Sequence, residues 1–85
     1  MVSQKITVTN KSGLHLRPAS ELSKIAVNCK SNITIIKDNQ RINPKSILNL
    51  MNASIKCGDE IIIECIGDTA EQDFQVIMST FLGNQ

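Results

Sequence analysis

The 85-residue chain has no tryptophan and no tyrosine, and only two phenylalanines. Both phenylalanines, Phe74 and Phe81, fall on the inner stripe of a helical pattern, so no aromatic platform is left for stacking on bases. Charge of one sign is missing too: nine Lys and Arg against eight Asp and Glu give a net charge of +1. A nucleic-acid surface needs a basic stripe, which this balance does not supply. The three cysteines, Cys29, Cys57 and Cys65, are odd in number and form no CxxC pair. That argues against a disulfide framework and for reduced, mostly buried thiols. With His15 they make four metal ligands on paper, but at a spacing that matches no zinc motif. Unbroken apolar runs stop at three residues, as in Ile61-Ile62-Ile63, too short to span a membrane. The first five residues hold no apolar signal region, and the chain is expected to be soluble and cytoplasmic.

What is present suits one domain over residues 1–85, with 41% apolar content for a modest core. Residues 2–8 alternate, with Ile6 and Val8 on one side and Lys5 and Thr7 on the other, which predicts a strand. Asn10 to Gly13 is a turn. From Leu16 to about Asn28 the pattern is helical, with Ala19, Leu22, Ala26 and Cys29 inward and Lys24 outward. Residues 33–36 and 40–43 form two further strands around an Asp38-Asn39 turn. Ser46 is the expected N-cap of a short helix through about Asn52, carrying Ile47, Leu48, Leu50 and Met51. A fourth strand, 60–66, turns Ile61, Ile63 and Cys65 inward. The last helix is expected to start with a capping box, Asp68 with Glu71 or Thr69 with Gln72, and to end at Gly83. Its inner face is Ala70, Phe74, Ile77, Met78 and Phe81. Four short strands and three helices predict an α+β fold, one sheet with the helices on one face.

The chemistry concentrates in Gly13-Leu14-His15-Leu16-Arg17-Pro18-Ala19-Ser20, which holds the only histidine of the chain. Proline is tolerated in a helix only in the first turn, so Pro18 places His15 at a helix N-terminus. That end of a helix offers unpaired N–H groups and the positive pole of the dipole. A cation is disfavoured there, and a neutral imidazole nitrogen is a nucleophile. Should that nitrogen attack phosphorus, the new dianion meets N–H donors and the Arg17 guanidinium. A lone histidine beside a turn is more often a surface or capping residue, and it is the whole string that points to phosphoryl transfer.

That string resembles the active-site signature of HPr, the histidine-containing phosphocarrier of the bacterial sugar phosphotransferase system, and the resemblance extends over the whole chain. It implies an open-faced β-sandwich whose four-stranded antiparallel sheet runs in the order 1-4-2-3. It implies a carrier rather than an enzyme: His15 accepts a phosphoryl group from Enzyme I, through Nδ1, and passes it to sugar-specific IIA proteins. Arg17 would steady the phosphoryl oxygens. Serines matching Ser46 are phosphorylated in Gram-positive relatives by HPr kinase/phosphorylase, and the modified face binds a LacI-type catabolite control repressor. Leu16, Ser20, Lys24, Lys45, Ile47, Leu48 and Met51 are then the expected partner-binding residues, an apolar centre with a charged rim. No cofactor, metal, nucleic acid or membrane insertion is implied, and a monomer is expected.

The chain departs from the commoner family pattern at Leu16, where Ala or Thr is frequent, and at Val27 and Asn49, where some relatives carry Lys. The segment from Asn49 to Ile55 also lacks the glycine of many relatives. These departures bear on partner affinity, not on His15 or Arg17. The alternative function is a regulatory paralogue that acts mainly by protein binding, told apart by the Enzyme I that serves it. An RNA-binding KH domain needs a GxxG clamp, and Gly13-Leu14-His15-Leu16 does not provide one.

Overall fold

Isoleucine at alternate positions of the two central strands builds the covered face of the sheet, and alanine at helical spacing lets the first helix pack against the other two. The structure, a computed structural model, describes residues 1–83. Its elements are β1 (Val2–Thr7), α1 (Leu16–Val27), β2 (Asn32–Lys37), β3 (Gln40–Ile42), α2 (Ile47–Asn52), β4 (Glu60–Ile66) and α3 (Ala70–Gly83). The four strands form one antiparallel sheet ordered β1-β4-β2-β3, as expected for an α+β open-faced sandwich. Element ends fall within about a residue or two of the sequence reading, the usual uncertainty of helix and strand ends. Val8 leaves the ladder and instead bonds the loop before β4: its N–H donates to Asp59 O at 2.9 Å, and Gly58 N–H donates to its carbonyl at 2.8 Å.

The register sets Ile6 opposite Ile61, Ile33 opposite Cys65, and Ile63 between Gln4 and Ile35. Because side chains alternate across a strand, Ile33, Ile35, Ile42, Ile61, Ile63 and Cys65 all reach the covered face and are buried. Each such isoleucine contributes about 1.5–3 kcal/mol by leaving water. Against them pack Ala19, Leu22 and Ala26 of α1, Leu50 of α2, and Ile77, Met78 and Phe81 of α3. On the open face, Lys5, Ile62, Ile36 and Arg41 form one cross-strand row. Lys5 pairs with Glu60 at 3.6 Å and Arg41 with Glu64 at 3.0 Å.

The start of α3 differs from expectation. The Thr69 hydroxyl bonds Asp73, not a capping-box partner: Thr69 Oγ1 donates to Asp73 Oδ2 at 2.8 Å. The same carboxylate oxygen accepts from Ser31 Oγ at 2.6 Å and Ser31 N–H at 3.0 Å. Ser31, only 1% exposed, begins the approach to β2, so a contact 42 residues long in sequence replaces a local cap. Gly67, at φ 151°, allows the close approach, since a Cβ there would lie 3.2 Å from Ser31 Cα.

A second carboxylate closes the loop before β4. Asp59 Oδ2 accepts from Lys56 N–H at 2.7 Å and lies 3.1 Å from Lys37 Nζ. The bond from Lys56, then the one from Lys37, holds the Asp59 carboxyl below its ordinary value. The Ser31 hydroxyl, then the Thr69 hydroxyl, does the same for Asp73. Both folded values lie below the unfolded one of about 3.9, so their contribution is full above about pH 5. It is lost as the pH falls through the lowered folded values. Urea midpoints measured from neutral pH to about pH 3 should therefore decline, and Asp59→Asn and Asp73→Asn should each flatten the decline. An Asp73→Asn variant with the wild-type pH dependence would clear that carboxylate of the role.

Candidate functional site

The candidate site is built by a turn that only glycine can make. Asn10 closes it, its carbonyl accepting from Gly13 N–H at 2.8 Å and its side-chain oxygen from Ser12 N–H at 2.9 Å. Gly13 then takes φ 66°, and a Cβ on it would stand 2.5 Å from the Ile55 carbonyl oxygen and 2.9 Å from Lys56 Cα. No side chain fits there, and L-residues avoid that backbone region. The next N–H, of Leu14, donates to that same Ile55 carbonyl at 3.0 Å.

The following residue, His15, is the N-cap of α1, with extended backbone at φ −95° and ψ −173°. Its carbonyl accepts the first helical bond, from Ala19 N–H at 3.0 Å. Its side chain makes no capping hydrogen bond, and the residue is exposed. Leu16 and Arg17 follow with N–H groups that have no partner among the described residues. Pro18 has no N–H to offer and is buried, anchoring the first turn to the core. As the sequence implies, His15 stands at the helix N-terminus ahead of first-turn N–H groups that lack partners among the described residues.

Arg17 lies in that turn with its side chain 84% exposed, and its Nε is 3.7 Å from Glu21 Oε1. Lys24 is exposed and Ser20 half-buried. Leu16 and Leu48 are the most open of the expected apolar docking residues, at 62% and 73%, with Ile47 and Met51 also exposed. They sit on α1 and α2, which pack against each other. Lys45 is different. Expected as a rim cation, it is half-buried, and its ammonium donates to Cys29 O at 3.1 Å and Ser31 O at 3.0 Å. Its own carbonyl accepts from Ser23 Oγ at 3.1 Å. Two carbonyls that lack strand or helix partners draw the charge inward, so Lys45 ties α2 to α1 and is not part of an open rim.

Ser46 is the N-cap of α2, as the sequence implies, and its Oγ accepts from Asn49 N–H at 3.2 Å and Asn49 Nδ2 at 3.1 Å. The asparagine side chain was legible in the spacing, because position 49 is where a capping box carries Glu or Gln. Glu21 was legible as well, four residues after Arg17. The inward turn of Lys45 carries no local signal. Ser54, just past α2, takes φ 53°, the left-handed stop usually given to glycine. The chain keeps this stop without the glycine of many relatives. Of the three thiols, Cys29 and Cys65 are buried and Cys57 is exposed. Burial pushes the Cys65 thiol up to about 11 and raises that of Cys29. Among the described residues no group of three or more His, Cys, Asp or Glu is placed to hold a metal ion.

Comparison with known proteins agrees with this geometry. The family profile described as PTS HPr component phosphorylation site matches residues 2–81. Phosphocarrier protein HPr of Mycoplasma capricolum is 48% identical over 75 residues, covering 88% of this chain and 84% of the relative. HPr-like protein Crh of Bacillus subtilis is 33% identical over 72 residues, 85% of each chain. The solved structure of a Mycoplasma histidine-containing phosphocarrier protein superposes with a TM-score of 0.93 at 44% identity, covering 96% of this chain and 93% of that one. The chain belongs to the HPr family, the phosphoryl carriers of the phosphotransferase system. Enzyme I and IIA proteins are the partners of that system.

Since the position of His15 depends on the turn before it, Gly13→Ala is the sharpest structural test. It should cost more than about 1 kcal/mol in a urea melt, because both the backbone angle and the Ile55 contact become unfavourable. A variant as stable as wild type would show that the turn tolerates a side chain.

Proposed function

We propose that His15 is the residue that carries the phosphoryl group, within a single domain spanning residues 1–85. The observation that supports it best is the exposed N-cap histidine, its side chain free of any cap bond, directly before two N–H donors without partners among the described residues. A neutral ring nitrogen, Nδ1 by the family resemblance, attacks the phosphorus of phosphohistidine on Enzyme I. The new N–P bond forms as the old one breaks, and the imidazole of Enzyme I departs. The same exchange in the opposite sense delivers the group to a IIA protein. Phosphoryl transfer is loose and in line, so placement and charge neutralisation supply most of the catalysis. The N–H groups of Leu16 and Arg17, with the Arg17 guanidinium, receive the phosphoryl oxygens.

The exposed apolar residues Leu16, Ile47, Leu48 and Met51, with Ser20 and Lys24 beside them, form the docking face for Enzyme I and IIA proteins. Lys45 supports that face from behind. Ser46 is the regulatory site: its oxygen accepts both bonds from Asn49, which leaves the hydroxyl proton free to be removed. HPr kinase/phosphorylase would modify it, and a LacI-type repressor would read the result. The chain acts as a monomer.

Incubation with Enzyme I and phosphoenolpyruvate should place an acid-labile phosphate on the wild-type chain and none on His15→Ala. Phosphate that persists on His15→Ala would overturn the assignment. Arg17→Ala should keep its helical circular dichroism and slow transfer by about ten- to a hundredfold, the scale of a charge-assisted hydrogen bond. Incubation with the kinase and ATP should give an acid-stable phosphate that Ser46→Ala lacks.

A further inference from the structure

The pairing of Arg17 has a functional side. Its Nε lies 3.7 Å from Glu21 Oε1, while the arginine side chain is 84% exposed and the glutamate 49%. Glu21 is four residues after Arg17 along α1, a rise of about 6 Å in the direction away from His15. The pair therefore draws the guanidinium along the helix away from the N-cap, in the direction opposite to where a phosphoryl group on His15 would need it. It is also the weaker order of charges, since an acidic residue ahead of a basic one suits the helix dipole better. An exposed pair of this kind is readily exchanged.

We propose that Glu21 is a positioning residue that competes with the phosphoryl group for Arg17, and so keeps that group loosely held; this rests on His15 being the acceptor. In the unmodified chain the guanidinium is paired with a single negative charge. A phosphoryl dianion on His15 offers two, and Arg17 changes partner when it arrives. The energy of the Arg17–Glu21 pair is then lost on phosphorylation and regained on release. Glu21 in this way raises the tendency of the phosphohistidine to give up its phosphoryl group, without touching it.

The test compares wild type with Glu21→Gln, which keeps the shape and removes the charge. Both are equilibrated with Enzyme I at fixed ratios of phosphoenolpyruvate to pyruvate, and the phosphorylated fraction is measured. At low salt, Glu21→Gln should shift the midpoint about two- to fivefold toward the phosphorylated form, the range for an exposed ion pair. Added salt should shrink the shift. Placed in an Arg17→Ala background, the same substitution should change nothing. No shift at low salt, with wild type normally phosphorylated, overturns the inference alone. An equal shift in the Arg17→Ala background also overturns it, because Glu21 would then act by direct repulsion. A wild-type chain that takes no phosphate overturns both this inference and the acceptor role of His15.

Discussion

One carbonyl oxygen, that of Ile55, organises the region around His15. It accepts from Leu14 N–H at 3.0 Å, and it leaves only 2.5 Å for any Cβ on Gly13. Those two facts push the chain from β1 against the segment that leaves α2 and then release it into α1 at a fixed point. Ile55 is itself 3% exposed, so the carbonyl is held by core packing and not by a mobile loop. The N-cap of α1 is thus referenced to the exit of α2, and the two helices that carry the exposed apolar residues are fixed to each other. Lys45 reinforces the join from the other end, through Ser23 on α1 and the carbonyls of Cys29 and Ser31.

The rest of the molecule is economical around that join. With two phenylalanines in the whole chain, the core relies on isoleucine on the sheet and on alanine at the helix contacts. Ala19, Ala26, Ile35, Ile61 and Ile63 are fully buried. Small residues on α1 let it pack closely against α2 and α3, and β-branched residues fill the pleated surface beneath. Where a larger core would use apolar volume at its margin, this one uses a polar contact. Asp73 gathers Ser31 and Thr69 at the start of α3, and every polar side-chain atom buried among the described residues has a hydrogen-bond partner. A half-satisfied network there would cost more than an apolar one.

Much of this was legible beforehand, for reasons that differ by element. Strands were readable because Ile61, Ile63 and Cys65 alternate with Ile62 and Glu64, and a one-residue slip would expose the core set. The place of His15 followed from Pro18, which has only one comfortable position in a helix. The sheet order came from the family resemblance; alternation alone does not choose among strand orders. What stayed hidden depends on contacts distant in sequence. Asp73 was expected neither as a cap nor as a tether, because its partner is Ser31 on another element. Lys45 looked like any surface cation until the carbonyls of Cys29 and Ser31 were placed beside it. Local spacing describes what a side chain can do, and tertiary placement decides which partner it finds.

The looseness of the site follows from the same local chemistry. A phosphate-binding loop encloses its anion in a run of successive N–H groups. Here Pro18 removes the third first-turn donor, Ala19 already bonds the His15 carbonyl, and two N–H groups remain. The charge that could make up the difference sits on a side chain 84% exposed and already paired. In the proposed role, two donors and a paired arginine would hold the phosphoryl group weakly, as a carrier needs. With His15 as the acceptor, as proposed, a group held tightly there would arrive from one partner and not leave for the next. Exposure has a second consequence, since no capping hydrogen bond fixes the orientation of the ring. The backbone sets where the imidazole is, and in the proposed role the docking partner would set how it faces. On the proposed reading, alignment for in-line transfer would then be completed in the complex, and one small surface would serve both the donor and the acceptor.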